Sequence, residues 1–238
     1  MTDPLHNRLL ASLAPAGRDR LMALGERVDL PVRLTLVEPN APTSHVYFPE
    51  QGLGSVVASS RNEAEQIEVG HLGFEGMTGF HVLLGVDRTP NHTFMQVAGS
   101  GWRVPVRSLL PLLQDDADLR THLLRYVHTY QLQLAYSALA NGRYKIPERL
   151  ARWLLMCHDR LRTDEMRLTH EFLGLMLGVR RSGVTNEIHV LEGEHAIRAT
   201  RATVRVLDRA KLVEMAGGSY GVPEEEYARL IEGQPVAA

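Results

Sequence analysis

Arg180, Arg181, Ser182, Thr185 and Asn186 fall within seven consecutive residues. Guanidinium groups pair with phosphate or guanine, an Asn amide matches the edge of adenine, and Ser and Thr hydroxyls reach either. The group lies in Thr169–Leu191, where the spacing predicts two short helices joined by a tight turn at Gly178. Small Gly174 precedes that glycine by four residues and apolar Val184 follows it by six. A small residue lets the second helix cross closely, a glycine permits the turn, and an apolar residue packs the second helix on the first, as a helix-turn-helix requires. Two amphipathic helices around any Gly turn would share part of this pattern, so the rest of the chain has to agree with it.

The charge distribution does agree. The 238 residues carry a net charge of −2, which by itself gives no nucleic-acid signal. Residues 143–212 hold 14 basic and 9 acidic side chains, whereas residues 1–142 hold 11 and 14, and residues 213–238 hold 1 and 5. The positive excess therefore coincides with the candidate DNA-reading segment, where phosphate neutralisation would supply non-specific affinity. The single Cys157 excludes a disulfide framework within one chain and a cysteine-held iron–sulfur or zinc site. It sits in an apolar helical stretch and is read as a small buried hydrophobe. No apolar run approaches the length of a membrane helix and the N-terminus has no basic-then-apolar signal, so a soluble cytoplasmic protein with no membrane partner is expected.

Elements that could position the group follow from the texture of the chain. Residues 5–27 predict one or two short helices, with Pro15 opening the second. From Val28 to about Val106, alternating β-branched segments at 32–37, 45–48, 54–59, 66–70, 93–98 and 101–106 are punctuated by Gly, Pro, Asn and Ser, which predicts an all-β barrel, sandwich or jelly roll. A Gly-rich cassette interrupts them, and Met77 to Leu84 within it is a candidate short helix. From Ser108 to about Ala140 one long helix is expected. Its stripe of Leu119, Leu123, Tyr126, Tyr130 and Leu134 fits packing against a second copy of itself, and equally against its own β domain. A second helix is expected from Pro147 to Leu161. After the helix-turn-helix, two alternating strands around Thr200-Arg201 predict a wing with Arg201 at its basic tip, or a plain surface hairpin, and Asp208 is placed as the N-cap of a helix from Arg209 to Met215.

This order resembles the bacterial Crp/Fnr family of transcription regulators. The likeness is carried by Glu148-Arg-Leu-Ala-Arg-Trp-Leu-Leu, by Leu168-Thr-His-Glu-Phe-Leu-Gly-Leu-Met-Leu-Gly-Val-Arg-Arg, by Val206-Leu-Asp-Arg, and by His45-Val-Tyr-Phe-Pro-Glu-Gln-Gly. It implies an α+β chain: a β-roll (jelly-roll) sensory domain over residues 1–110, a long dimerisation helix over 111–142, and a winged helix-turn-helix DNA-binding domain over 143–238. The partners it implies are a two-fold symmetric double-stranded DNA operator and a second copy of the chain, with RNA polymerase and a small-molecule effector as further candidates.

Residue by residue the likeness is partial. Thr169 matches the position that opens the first helix and touches a phosphate, and Arg181 matches a recognition-helix arginine. Ser182 and Asn186 stand where many members have a Glu and a second Arg, so a different half-site is expected. Gly76, Met77, Gly79, Phe80 and Arg88 are the effector-pocket candidates. Gly79 is followed by Phe80 rather than the ribose-binding Glu, and Arg88 is off register for a cyclic phosphate, which removes a charge-assisted bidentate partner. Binding of cyclic AMP in the usual way is not expected, with a cyclic-nucleotide- or haem-responsive regulator as the alternative. His71, His81 and His92 lack metal-ligand spacing, so no metal and no cofactor are expected. A cupin-like metal-dependent enzyme would need a His/Glu set on facing strands, which His45, His71, His81 and His92 do not form, and no catalytic residues are assigned.

Overall fold

The computed structural model describes residues 5–61, 65–179, 181–200 and 202–234; of His170, Glu171, Arg181 and Ser182 it describes the backbone only. Two short helices, α1 (Arg8–Ala11) and α2 (Pro15–Met22), lead into seven strands: β1 (Glu26–Leu30), β2 (Thr35–Val37), β3 (His45–Pro49), β4 (Leu53–Ser59), β5 (Gln66–Leu72), β6 (His92–Val97) and β7 (Gly99–Pro105). All pairs are antiparallel, in one sheet of order β1-β7-β3 and another of order β2-β6-β4-β5. The alternation read in the sequence decides the faces: in β3, Val46 and Phe48 are buried while His45 and Tyr47 are half-exposed. The cassette between β5 and β6 holds a 3-10 turn, Phe80–Leu84, within the segment expected to be helical.

Helix α3 (Val106–Asp115) and helix α4 (Ala117–Arg143) replace the single long helix expected from Ser108. The break falls at Asp116, which has φ −131° and caps α4 by accepting the backbone N–H of Leu119 at 3.0 Å. Pro111 lies inside α3 rather than ending it.

The α4 stripe does not face outward. Leu119, Leu123, Tyr126 and Tyr130 are at most 3% exposed and belong to the core that includes Val46, Phe48, Val56 and Leu72 of the β roll, with Leu134 packed at its margin. Of the two partners the stripe leaves open, a dimer interface and the chain's own β domain, these side chains meet the β domain: a helical stripe specifies a buried face and leaves its partner unspecified. The approach is close because Gly76 has no side chain: a Cβ there would collide with the Tyr126 hydroxyl, which donates to the Met77 carbonyl at 3.2 Å.

Helix α5 (Ile146–Leu161) carries Pro147 in its first turn, with Glu148 accepting the Lys145 N–H at 2.5 Å. There follow β8 (Glu165–Met166), α6 (His170–Leu177), α7 (Arg181–Gly193), β9 (Ile197–Thr200), β10 (Thr203–Val206) and α8 (Arg209–Met215). Strands β8-β10-β9 make a small sheet, and Asp208 caps α8 through the Lys211 N–H at 2.9 Å, as the sequence predicts. These elements surround a second core that includes Leu150, Leu154, Leu173, Val184, Leu191 and Leu212. Buried Cys157 belongs to it, and burial pushes its thiol well above the ordinary range.

The last helix, α9 (Val222–Ile231), was not expected; it leaves this core and packs across α4. Its Tyr227 hydroxyl donates to the Glu75 carbonyl at 2.6 Å. Two further ties join the halves: Trp153 Nε1 donates to Glu68 Oε1 at 3.1 Å, and Arg160 Nε to Glu75 Oε1 at 2.7 Å. Among the described residues no helix is long and apolar enough to cross a membrane.

Candidate nucleic-acid interface

Helix α6 is capped by Thr169, whose hydroxyl oxygen accepts the Phe172 N–H at 3.2 Å. It ends at Gly178, which takes φ +63° and so enters the left-handed region that favours glycine. The Val179 N–H returns to the Gly174 carbonyl at 3.0 Å and closes the turn. Arg149 of α5 donates from Nη2 to the Leu177 carbonyl at 2.5 Å, placing a cation on the negative end of α6.

Val184, Ile188 and Leu191 bury one face of α7 in the second core at 2% exposure or less. Asn186 stands on the exposed side and Thr185 is half-exposed next to it. The backbone of Arg181 and Ser182 forms the first turn of α7. The side chains of Arg181 and Ser182, and Arg180 and Arg201 altogether, lie outside the described residues. The fold thus brings Thr169, Thr185 and Asn186 onto the two helices expected to carry them.

The wing adds residues that the motif reading missed. In the antiparallel pair of β9 and β10, Arg198 stands directly opposite Arg205, and both are exposed. Like charges facing each other across strands are unfavourable unless an anion lies against them. Glu165 of β8 flanks Arg205 on its other side and offsets part of that repulsion. The alternation of strand residues was the signal for this pair: Arg198 and Arg205 occupy outward positions, whereas Ile197, Val204 and Val206 point inward.

The effector-pocket candidates divide. Gly76, Met77, Gly79 and Phe80 lie together on the turn that faces α4. Met77 is fully buried, and the Phe80 ring lies 4.5 Å from that of Tyr130 and 6.5 Å from that of Tyr126. The space at this turn is filled by the chain's own rings. Arg88 does not join them: it is exposed in the loop before β6 and makes a bidentate pair with Asp87 at 3.1 and 2.9 Å. Of the histidines, His81 and His92 bond to Thr43 and Thr35 at 2.9 and 3.1 Å, and His71 contacts Glu68 in the interior. Among the described residues no group of three His, Cys, Asp or Glu side chains is arranged to hold a metal ion.

Residues 148–215 match the Crp-like helix-turn-helix domain family. Comparison with curated proteins gives no match. Among solved structures, the fold is similar to that of a Crp/Fnr-family protein from Eubacterium rectale (16% identity, 88% of this chain and 98% of the other, TM-score 0.69). It is also similar to the c-di-GMP-responsive global regulator Clp of Xanthomonas campestris (16%, 81% and 99%, 0.67) and to a CRP-family transcriptional regulator from Thermus thermophilus (20%, 80% and 97%, 0.65). The chain carries a Crp-like helix-turn-helix domain on the fold of the Crp/Fnr transcription regulators.

Proposed function

We propose that the protein is a sequence-specific, homodimeric DNA-binding regulator of transcription, and not an enzyme. The observation that carries this reading is α7. One face is locked into the domain core by Val184, Ile188 and Leu191, and Asn186 stands one turn in on the other side, as direct readout in a major groove requires. Thr169, Arg180, Arg181, Ser182 and Thr185 are assigned to phosphates or base edges with it, and Arg198, Arg205 and Arg201 of the wing to flanking phosphates.

The dimer seam is assigned to the side of α4 opposite its buried stripe. Leu124, His128, Leu132, Ala135 and Leu139 recur there at steps of three and four residues, and Leu139 is 42% exposed. The usual cyclic-nucleotide mode is not assigned to the β roll, since Phe80 packs into the tyrosines of α4 and Arg88 is engaged by Asp87.

Selection of bound sequences from a random duplex pool tests the reading. A two-fold symmetric motif is expected, and Asn186→Ala should relax one position of it by about 1–3 kcal/mol. No enrichment, or a motif without symmetry, would refute it.

A further inference from the structure

A cavity of about 410 Å³ lies at the junction of the two halves, bordered by Phe74 and Glu75 of the cassette where they meet α4. Its walls include Tyr126 and Tyr130 of α4, Glu75 of the β roll, Arg160 and Arg162 at the end of α5, and Glu224 of α9. That volume lies in the range of small-molecule sites, and the mixture of rings and convergent charges is their usual lining.

Several polar groups here are left incomplete. Glu75 Oε1 accepts a hydrogen bond from Arg160 Nε, but its buried Oε2 has no hydrogen-bond partner, and neither has the buried hydroxyl of Tyr130. Glu224 accepts the Gly221 N–H and is otherwise paired with no cation at ion-pair distance among the described residues. Burial holds its carboxyl above the ordinary range, with Arg160 and Arg152 working against that. At the opposite extreme of charge, Arg162 ends α5 in the left-handed region at φ +53° and lays its guanidinium carbon 3.5 Å from the centre of the Phe74 ring. Among the described residues Arg162 is paired with no carboxylate, and a guanidinium stacked by its face keeps its N–H edge for an anion.

We propose that this cavity binds a small zwitterion with a flat apolar body, an aromatic α-amino acid or a near analogue. The ammonium group meets Glu75 Oε2 and Glu224, the carboxylate meets Arg162, and the body lies among the tyrosine rings. A plain anion would leave the carboxylates unmatched, and a plain cation would leave Arg162 unmatched beside Arg160. Binding stands on the cavity alone; that it would alter DNA affinity rests on the function proposed above.

Calorimetric titration of the full chain without DNA, using phenylalanine, tyrosine and tryptophan, tests the assignment. Phenethylamine and 3-phenylpropanoate serve as probes that each lack one charge. At least one amino acid should bind about tenfold or more tightly than either single-charge probe, since each probe lacks one of the charge-assisted hydrogen bonds. Arg162→Gln, an exposed substitution, should weaken that amino acid by about tenfold or more and leave phenethylamine unchanged. Glu224→Gln should weaken the amino acid and leave 3-phenylpropanoate unchanged. No heat from any of the three amino acids at millimolar concentration would overturn the proposal. So would equal binding of a single-charge probe, or undiminished binding by both variants with native circular dichroism.

Discussion

The Glu75–Arg160 pair should behave as a buried ion pair, and its removal from one side should be costly. Their side chains are 13% and 8% exposed, and Arg160 also donates from Nη1 to the Met156 carbonyl at 2.9 Å. Burial alone would lower the pKa of Arg160; Glu75, Glu224 and Asp159 together outweigh it and hold the guanidinium above its ordinary value. Taking away one partner of such a pair costs about 3–5 kcal/mol, because the other is left as an uncompensated buried charge. Glu224 and Asp159 remain near Arg160, so Glu75→Gln is expected at the low end, about 3 kcal/mol. The double variant Glu75→Gln/Arg160→Met removes both charges and should return to within about 1 kcal/mol of the parent. Glu26→Gln is the control: Glu26 and Arg103 bond at the surface with side chains 64% and 38% exposed, and its loss should cost less than about 1 kcal/mol. Urea denaturation followed by tryptophan fluorescence and circular dichroism reads all three, with Trp153 of the junction as a local reporter. A loss below about 1 kcal/mol for Glu75→Gln, or strict additivity in the double variant, would refute the burial argument.

Stability should fall as pH drops below the ordinary histidine value of 6.5. Burial, opposed in part by Asp87, lowers the pKa of His81, and burial then Arg125 lowers that of His122, so the folded state favours the neutral rings. That contribution is present above 6.5 and is lost as pH falls through the folded values; melting temperature against pH should show it, and His81→Gln should flatten the slope. Leu132→Glu/Leu139→Glu should give a folded monomer by sedimentation. Leu123→Glu, by contrast, should unfold the β-roll half, since it places a charge at a position with no exposure. Arg198→Ala and Arg205→Ala should each weaken DNA binding uniformly across sequences and reduce the salt slope by about 1; a change of motif without a change of slope would show that the wing reads bases.

Local signals in the sequence were enough for local structure. Pro15 starts a helix and Pro147 stands in the first turn of another, Asp208 caps one, Gly178 makes its turn, and the alternation in β3 and β10 sorts inward from outward side chains. Such features depend on a few neighbouring residues, so spacing reveals them. What spacing leaves open is the identity of the partner. The stripe of Leu119, Leu123, Tyr126 and Tyr130 is real, but only the fold shows that it meets the β roll. Glu75 and Arg160 are 85 residues apart, as are Glu68 and Trp153, and no periodicity connects them. Helix α9 begins in an acidic stretch, Pro-Glu-Glu-Glu, that looks like solvated surface. Its Tyr227 and Ile231 are nevertheless buried against α4 and the β roll.

These long-range ties decide how the two halves can move. Each half has its own apolar core, and apolar contact crosses the junction at two places: Leu53 and Val97 of the β roll reach the second core, and Tyr227 and Ile231 of α9 reach the first. Most named ties are polar: Glu68 to Trp153, Arg160 to Glu75, Tyr227 to the Glu75 carbonyl, Arg8 to Glu232. Polar ties differ from an apolar seam in what separation costs. Water replaces most of a hydrogen bond or ion pair when it opens, leaving a net of about 1 kcal/mol for each ordinary bond, whereas apolar area pays in full when exposed. The turn of the helix-turn-helix also rests on this junction, since a Cβ on Gly178 would stand 3.2 Å from Ile67 of β5. A shift of α5 and α9 relative to the β roll therefore carries the DNA-reading helix with it. A ligand that prefers one spacing of the walls around the cavity would bias that shift by the difference in its affinity for the two arrangements, and by no more.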